Sequence, residues 1–300
     1  MRKEYPPQQL QHIPVLLEAT LQKLNPQKGE TYLDLTAGYG GHAGEFIERI
    51  GEASLATLVD RDDMAIESLK TKSWQEMRLL HMDFLTAAQQ LIAEGQQFDM
   101  VLVDLGVSSP QLDIAERGFS FARSGPLDMR MDRRTTLTAE TIVNSYSQAE
   151  IADIIRTFGE EPARQAKMIA EAIVALRPHT STGELASVIA KNIRRPRGRT
   201  HPATRTFQAL RMALNQELDQ IRHLLPLLPK LLNGGGRVGI ISFHSLEDRL
   251  VKRYFSEQKA SGYEAELEIL TQKPISGATE DVHNPRARSA KLRAAVKIKT

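Results

Sequence analysis

The chain of 300 residues contains no cysteine. That absence removes disulfides, thiolate zinc sites and iron–sulfur clusters, and with them every thiolate nucleophile. Covalent methyl transfer to a pyrimidine carbon 5, which needs such a thiolate, is excluded. No apolar run approaches the roughly 18 residues of a membrane span. The opening Met-Arg-Lys-Glu-Tyr-Pro-Pro lacks the apolar stretch of a secretory signal. Internal repeats and low-complexity segments are also missing. With 41% hydrophobic and 25% charged residues, the expectation is a cytoplasmic globular protein with no membrane association and one large or two domains. Acid is missing locally as well. From Leu185 to Gln216 there is none, while Lys191, Arg194, Arg195, Arg197, Arg199, Arg205 and Arg211 are basic. The tail after Asp281 repeats this with Arg286, Arg288, Lys291, Arg293, Lys297 and Lys299. Net charge is only +2, so local basic density is what would attract a polyanion.

What is present begins with alternation. Val15 to Leu24 has apolar positions at helical spacing. Tyr32-Leu-Asp-Leu, Ala56-Thr-Leu-Val-Asp60, Arg78-Leu-Leu-His and Met100-Val-Leu-Val-Asp104 read as strands, with helices over Ala43–Ile50 and near Met64–Lys70. Strands interleaved with helices predict right-handed crossovers and a mostly parallel sheet. The rhythm breaks after Ser109: residues 111–134 are polar, without a clear period. Residues from Ala139 to about Gln220 then read as helical, starting from a Thr138 cap. Gly236–Phe243 is a buried strand, Leu246–Ser256 a helix, and Leu292–Ile298 a strand that closes the sheet. The expected organisation is an α/β Rossmann-like domain in two parts, 1–111 and 213–300, interrupted by an all-helical insertion, 112–212.

Gly38-Tyr-Gly40-Gly41-His42-Ala43 satisfies the loose dinucleotide fingerprint, whose glycines permit a tight turn and close ligand approach before a helix. Asp60 stands 22 residues after Gly38, where an acid accepts hydrogen bonds from ribose hydroxyls. Asp34 separates two ligands. A carboxylate facing the loop repels a pyrophosphate and welcomes the ammonium of a methionine moiety, favouring S-adenosylmethionine over NAD; alternatively, Asp34 caps the strand end. Phe84 either packs on an adenine face or belongs to the core, and Asp83 is an alternative acceptor for the adenine amino group.

Ser108-Ser109-Pro110-Gln111 follows a strand ending in Asp104. Methylating an exocyclic amine requires acceptors that hold both N–H groups and turn the nitrogen lone pair toward the methyl donor. Hydroxyl and carbonyl oxygens of this segment can accept, and Pro110 stiffens it. Such positioning can lower a barrier by about 7–11 kcal/mol. The plain alternative is an ordinary turn. Adenine and cytosine amino-methyltransferases carry a Ser/Asn/Asp-Pro-Pro-aromatic motif here, and Ser109-Pro110-Gln111 is a variant of it.

The chain as a whole resembles the MraW-type ribosomal RNA cytosine-N4 methyltransferases. The resemblance runs through His12–Glu18, Asp34–His42, Asp104–Asp113, Arg117–Phe121, Gly125–Asp132, Thr204–Arg211, Ser242–Arg249 and Asn284–Arg293. It implies the S-adenosylmethionine-dependent methyltransferase fold, with Gly40, Gly41, His42, Asp60, Phe84, Asp104 and Gln111 lining the donor site. It also implies small-subunit ribosomal RNA, or the assembled small subunit, as partner. Gln111 departs from the aromatic-ended motif, so Phe119 or Phe121 is the expected stacking face for the base, unless both anchor their loop in the core. Arg194, Arg195, Arg197 and Arg199 are the expected phosphate contacts. Asp128, Arg130 and Asp132 are expected to order their loop through ion pairs, and His244, Glu247 and Asp248 to form an ordinary strand-to-helix junction. No metal is assigned, and a homodimer is one assembly the sequence allows. A DNA or protein amino-methyltransferase, and a non-catalytic RNA-binding assembly factor, are the rival readings.

Overall fold

The computed structural model describes residues 14–74, 76–193 and 201–299. Along the chain the elements are α1 (Leu17–Leu24), β1 (Tyr32–Asp34), α2 (Gly41–Ile50), β2 (Ala56–Asp60), α3 (Asp63–Lys70), β3 (Arg78–His81), α4 (Phe84–Ala93) and β4 (Phe98–Asp104). A helical stretch follows: α5 (Ser109–Asp113), α6 (Ala139–Ser145), α7 (Gln148–Gly159), α8 (Ala163–Ala175), α9 (Thr182–Asn192), α10 (Thr204–Leu214) and α11 (Glu217–Leu224). The chain then adds α12 (Leu228–Leu231), β5 (Leu232–Ser242), α13 (Ser245–Ala260), β6 (Leu267–Ile269), β7 (Ile275–Ser276) and β8 (Lys291–Lys297). No helix of the described residues is long and apolar enough to cross a membrane.

Two compact units result. The first holds residues 1–60, 67–105 and 227–300; the second holds 61–66 and 106–226. These limits are wider than the 112–212 read from composition, because polar contacts tie residues 61–66 and 106–111 into the second unit, and no periodicity records such contacts.

In the first unit one sheet runs β3-β2-β1-β4-β5-β8-β6, with β7 pairing β8. Strands β3 to β5 are mutually parallel and β8 is antiparallel to β5. All of Tyr32–Asp34 and Ala56–Val59 are buried, the continuous pattern expected where both sheet faces are covered. Tyr32 stacks on Phe46 of α2, ring centroids 4.4 Å apart, inside a core that includes Leu24, Leu58, Met100, Leu102 and Ile241. Strand order reverses between β1 and β4, the position where open α/β sheets bind ligands. The edge strands β6 and β7 are too short to show in the sequence.

The second unit packs α6 to α10 around Ile142, Ile151, Ile155, Ile169, Ile173, Leu185, Ile189, Phe207 and Leu210. Helices α6, α7 and α9 start on side-chain caps: Thr138 accepts from the Thr141 amide, Ser147 forms a capping box with Glu150, and Ser181 caps α9. The aperiodic stretch 114–134 is ordered by Arg117. One guanidinium nitrogen, Nη1, donates to both oxygens of Asp62 at 3.0 and 2.7 Å, and Nη2 donates to the Arg130 carbonyl at 3.0 Å. Both Arg117 and Asp62 side chains are 3% exposed. Gly118 and Gly125 close the loop, since a Cβ there would lie 2.2 Å from Pro126 O and 1.8 Å from Ala115 O.

Removing one partner of such a pair strands a buried charge. Arg117→Met is expected to lower unfolding free energy by about 3–5 kcal/mol in urea titrations. The Asp62→Asn/Arg117→Met double variant should lose less, and an equal loss would show that the charge pair is not what holds the loop.

Candidate active site

Three strands of the first unit end on acids: Asp34 on β1, Asp60 on β2 and Asp104 on β4. Asp34 is 1% exposed. Its Oδ1 accepts from the Thr36 amide at 3.0 Å and its Oδ2 from the Tyr32 hydroxyl at 2.9 Å, so the strand-end capping role is present. Burial pushes its carboxyl up to about 7, while the Thr36 amide and Tyr32 hydroxyl pull it back. The sequence reading treated Asp34 as a plain carboxylate. Burial makes it a group that is part-protonated at neutral pH. Burial, followed by repulsion from Asp34, also raises the Tyr32 phenol.

Asp104 is placed similarly. Its amide donates to Thr36 Oγ1 at 2.6 Å, and its Oδ1 is shielded from solvent without a hydrogen-bond partner among the described residues. Burial, then the nearby charges of Asp34 and Glu247, hold its carboxyl well above the usual range. Glu247 belongs to the start of α13, where its Oε2 accepts from the Phe243 amide at 2.8 Å and His244 caps the helix. His244, Glu247 and Asp248 thus sit at a strand-to-helix junction, with Asp248 accepting from Lys291 and Arg293 at 2.9 and 2.7 Å.

The glycine loop lies against these acids. Asp60 Oδ2 accepts from the Gly38 amide at 2.7 Å, bracing the turn on β2. Gly38 and Gly40 have φ of +52 and +79°, left-handed values that glycine adopts without strain. A Cβ on Gly40 would come within 2.8 Å of the Trp74 ring, and one on Gly41 within 2.8 Å of Pro14. Trp74, the chain's single tryptophan, was not singled out by the sequence; its loop has no motif, and lone occurrence was the available signal. His42 enters α2 buried, with Nε2 3.0 Å from the Val15 carbonyl and Nδ1 3.7 Å from Asp104 Oδ2. The first unit therefore brings together Asp34, Gly38, Gly40, Gly41, His42, Asp60 and Asp104.

Phe84 opens α4 directly after β3 and is 8% exposed. Asp83 is its N-cap: Oδ1 accepts from the Leu85 and Thr86 amides and Oδ2 from the Thr86 hydroxyl. The helix start thus engages both oxygens of the Asp83 carboxylate.

In the second unit, Ser108 to Gln111 is a helix start, not a plain turn. Ser108 Oγ accepts from the Gln111 amide at 3.4 Å, and Gln111 Oε1 accepts from the Ser108 amide at 3.0 Å. Gln111 Nε2 donates to Asp62 at 2.7 Å, so its side chain is committed at both ends. Ser109 is buried, and Pro110 lies in the first turn of α5. Phe119 is buried with the Arg117 guanidinium 5.7 Å from its ring centre. Phe121 packs on His201 and Phe207 at 4.7 and 4.8 Å. Both rings thus have packing partners within their own unit. Asp128 pairs with Arg130, and Asp132 with Arg134. Arg194, Arg195, Arg197 and Arg199 lie outside the described residues.

Dinucleotide dehydrogenases of this topology run their six strands in the order 3-2-1-4-5-6. Here an antiparallel strand is inserted beside β5, and the acids crowd the switch point where a pyrophosphate would be repelled. This defines the Rossmann-like S-adenosylmethionine-dependent methyltransferase class. The chain belongs to the MraW methylase family, whose model matches residues 9–298. It is similar to ribosomal RNA small subunit methyltransferase H of Acidobacterium capsulatum, 46% identical across 95% of this chain and 98% of that one. The protein of the same name from Gloeothece citriformis is 46% identical over 95% of this chain and 93% of its own. Among solved structures, that of a putative rRNA methylase from Clostridium thermocellum overlaps with a TM-score of 0.46 at 12% identity, covering 95% of this chain and 99% of that one.

A carboxyl whose folded pKa lies above its unfolded value contributes stability that is complete below the ordinary carboxylate range. That contribution is lost as pH rises through the folded value. For Asp34 the window runs from the ordinary carboxyl value of 3.8 to about 7. The melting temperature should therefore fall by several degrees across it, and Asp34→Asn should flatten the fall. An Asp34→Asn protein with the wild-type pH dependence of melting would contradict the assignment.

Proposed function

We propose that the protein transfers the methyl group of S-adenosylmethionine to the exocyclic N4 of a cytidine in small-subunit ribosomal RNA. The observation that carries the reading is the part-buried Asp104, whose shielded Oδ1 has no hydrogen-bond partner among the described residues, next to Asp34 at the adjoining ends of β1 and β4. Uncompensated carboxyls in a low-dielectric site call for a cation, and a donor bearing an ammonium and a sulfonium matches that charge. Family membership and the names of the relatives support the same substrate class. The Gly38–Gly41 turn accommodates close approach by the donor, Asp60 stands where ribose hydroxyls are received, and Phe84 follows β3 as the flat apolar surface for adenine.

When bound, the donor supplies an already activated methyl group, so no strong base is needed to start the reaction. Asp34 and Asp104 hold the cationic end. Ser108, Ser109 and Pro110 follow Asp104 closely in the chain and, with it, orient the amine so that its lone pair faces the methyl. The capping box fixes the backbone of this segment, which makes its carbonyl and hydroxyl acceptors preorganised. The cytosine has to leave its stack to be reached. The helical unit and the basic stretch around Arg194–Arg199 would receive the RNA backbone, with Phe119 or Phe121 near the base, on free RNA or on the small subunit in the cytoplasm.

Mass spectrometry of ribosomal RNA nucleosides provides the test. Cells lacking the protein should lose one N4-methylcytidine mark; the wild-type gene should restore it and Asp104→Ala should not. Retention of every such mark without the protein, or methylation of purified DNA or protein in preference to small-subunit RNA, would defeat the proposal.

A further inference from the structure

We infer that Asp104 and His42 form the proton-accepting pair of the transfer, with Asp104 receiving the proton shed by the methylated amine and His42 sharing it through Nδ1. This rests on the methyl-transfer reading above and goes beyond it, since orienting the amine does not say where its proton goes.

The geometry begins at Val15. A carbonyl only accepts, so the 3.0 Å contact between His42 Nε2 and the Val15 oxygen puts the hydrogen on Nε2. In the neutral ring Nδ1 is then the basic nitrogen, and it faces Asp104 Oδ2 at 3.7 Å. The segment carrying Val15 is itself anchored: the Leu16 amide donates to Asp281 Oδ2 at 3.0 Å, and Pro14 packs against Gly41. On the other side, the Asp104 backbone is held by Thr36 Oγ1. The Asp104 side chain is 25% exposed although Oδ1 itself is shielded and unpartnered. One carboxyl oxygen thus faces the imidazole, and the other has no hydrogen-bond donor among the described residues, while the part-exposed side chain leaves the carboxyl within reach of an amine.

The step balances. The nitrogen lone pair forms the N–C bond while the electrons of the breaking C–S bond return to sulfur, which becomes a neutral thioether. The amine nitrogen is left positively charged with one surplus proton. Asp104 takes that proton and His42 Nδ1 shares it, with Nε2–H remaining on Val15; water receives it when product leaves. The timing follows from the titratable groups facing Asp104, which are Asp34 and the neutral Tyr32 phenol on β1, Glu247 on α13 and His42 on α2. A cation beside these acids keeps Asp104 ionised. Loss of the sulfur charge restores their mutual repulsion, so the carboxylate gains proton affinity as the proton becomes available.

Two measurements test the pair. The first is the ¹⁵N signal of His42 Nδ1 in histidine-labelled wild-type protein, compared between the S-adenosylmethionine and S-adenosylhomocysteine complexes. The signal should move toward the protonated position in the second complex, and the difference should vanish in Asp104→Asn. The second is single-turnover methyl transfer against pH. His42→Gln keeps an N–H for Val15 but cannot take the proton; at saturating donor it should slow transfer about 100-fold and flatten the acidic limb. An active wild-type protein with the same Nδ1 signal in both complexes, or a His42→Gln enzyme with the wild-type limb, overturns the pair alone. A wild-type protein that transfers no methyl group to any RNA overturns the reading beneath it.

Discussion

Carboxyl groups buried at the ends of neighbouring parallel strands are the constraint on which the first unit turns. Asp34 and Asp104 close β1 and β4, which are hydrogen-bonded neighbours, and Glu247 adds a third acid from α13. A parallel sheet covered on both faces gives these groups little water, and the charges of Asp34 and Glu247 raise the cost of ionising Asp104. Local donors offset part of this: Thr36 and Tyr32 serve Asp34, and the Phe243 amide serves Glu247. Nothing among the described residues serves Asp104 Oδ1. Without a positive charge nearby such carboxyls hold protons instead, so binding of a cation there is coupled to proton release.

The second unit has its own buried charge, handled in the opposite way. Asp62 receives Arg117 and Gln111 together, so its carboxylate is paired and hydrogen-bonded on both oxygens. That satisfied centre orders a segment with no periodic core of its own and fixes α5, the helix that begins at Ser109. The chain passes from one unit to the other directly after Asp60 and directly after Leu105, close to the acids that end β2 and β4. The strand-end acids and the Ser108–Gln111 segment proposed to orient the amine are therefore near neighbours in sequence. Changes at Asp62 or Arg117 should act on the backbone leading out of both strands.

Much of this was legible from residue order. Apolar runs ending in Asp34, Asp60 and Asp104 announced the strands, and Thr138 announced its helix, because those signals are local. The glycine loop was legible for the same reason. Trp74 was not, since its packing on Gly40 joins residues far apart in sequence without a motif. Nor was the role of Gln111: a glutamine three positions after a serine reads as a capping box only once the helix is known. The capping role of Asp83 at α4 was hidden for the same reason. The protonation of Asp34 was hidden because burial, which sets it, is a property of the folded core and not of the strand sequence.

The most direct test of the central claim is calorimetric titration of the purified protein with S-adenosylmethionine and with NAD, repeated with Asp34→Asn/Asp104→Asn protein. If the buried acids select a cation, the wild type binds the sulfonium donor and releases protons as it does so, binds NAD far more weakly, and loses both the preference and the proton release when the acids are neutralised. Equal affinity for the two nucleotides, or a neutralised protein that binds the donor as the wild type does, would contradict the account.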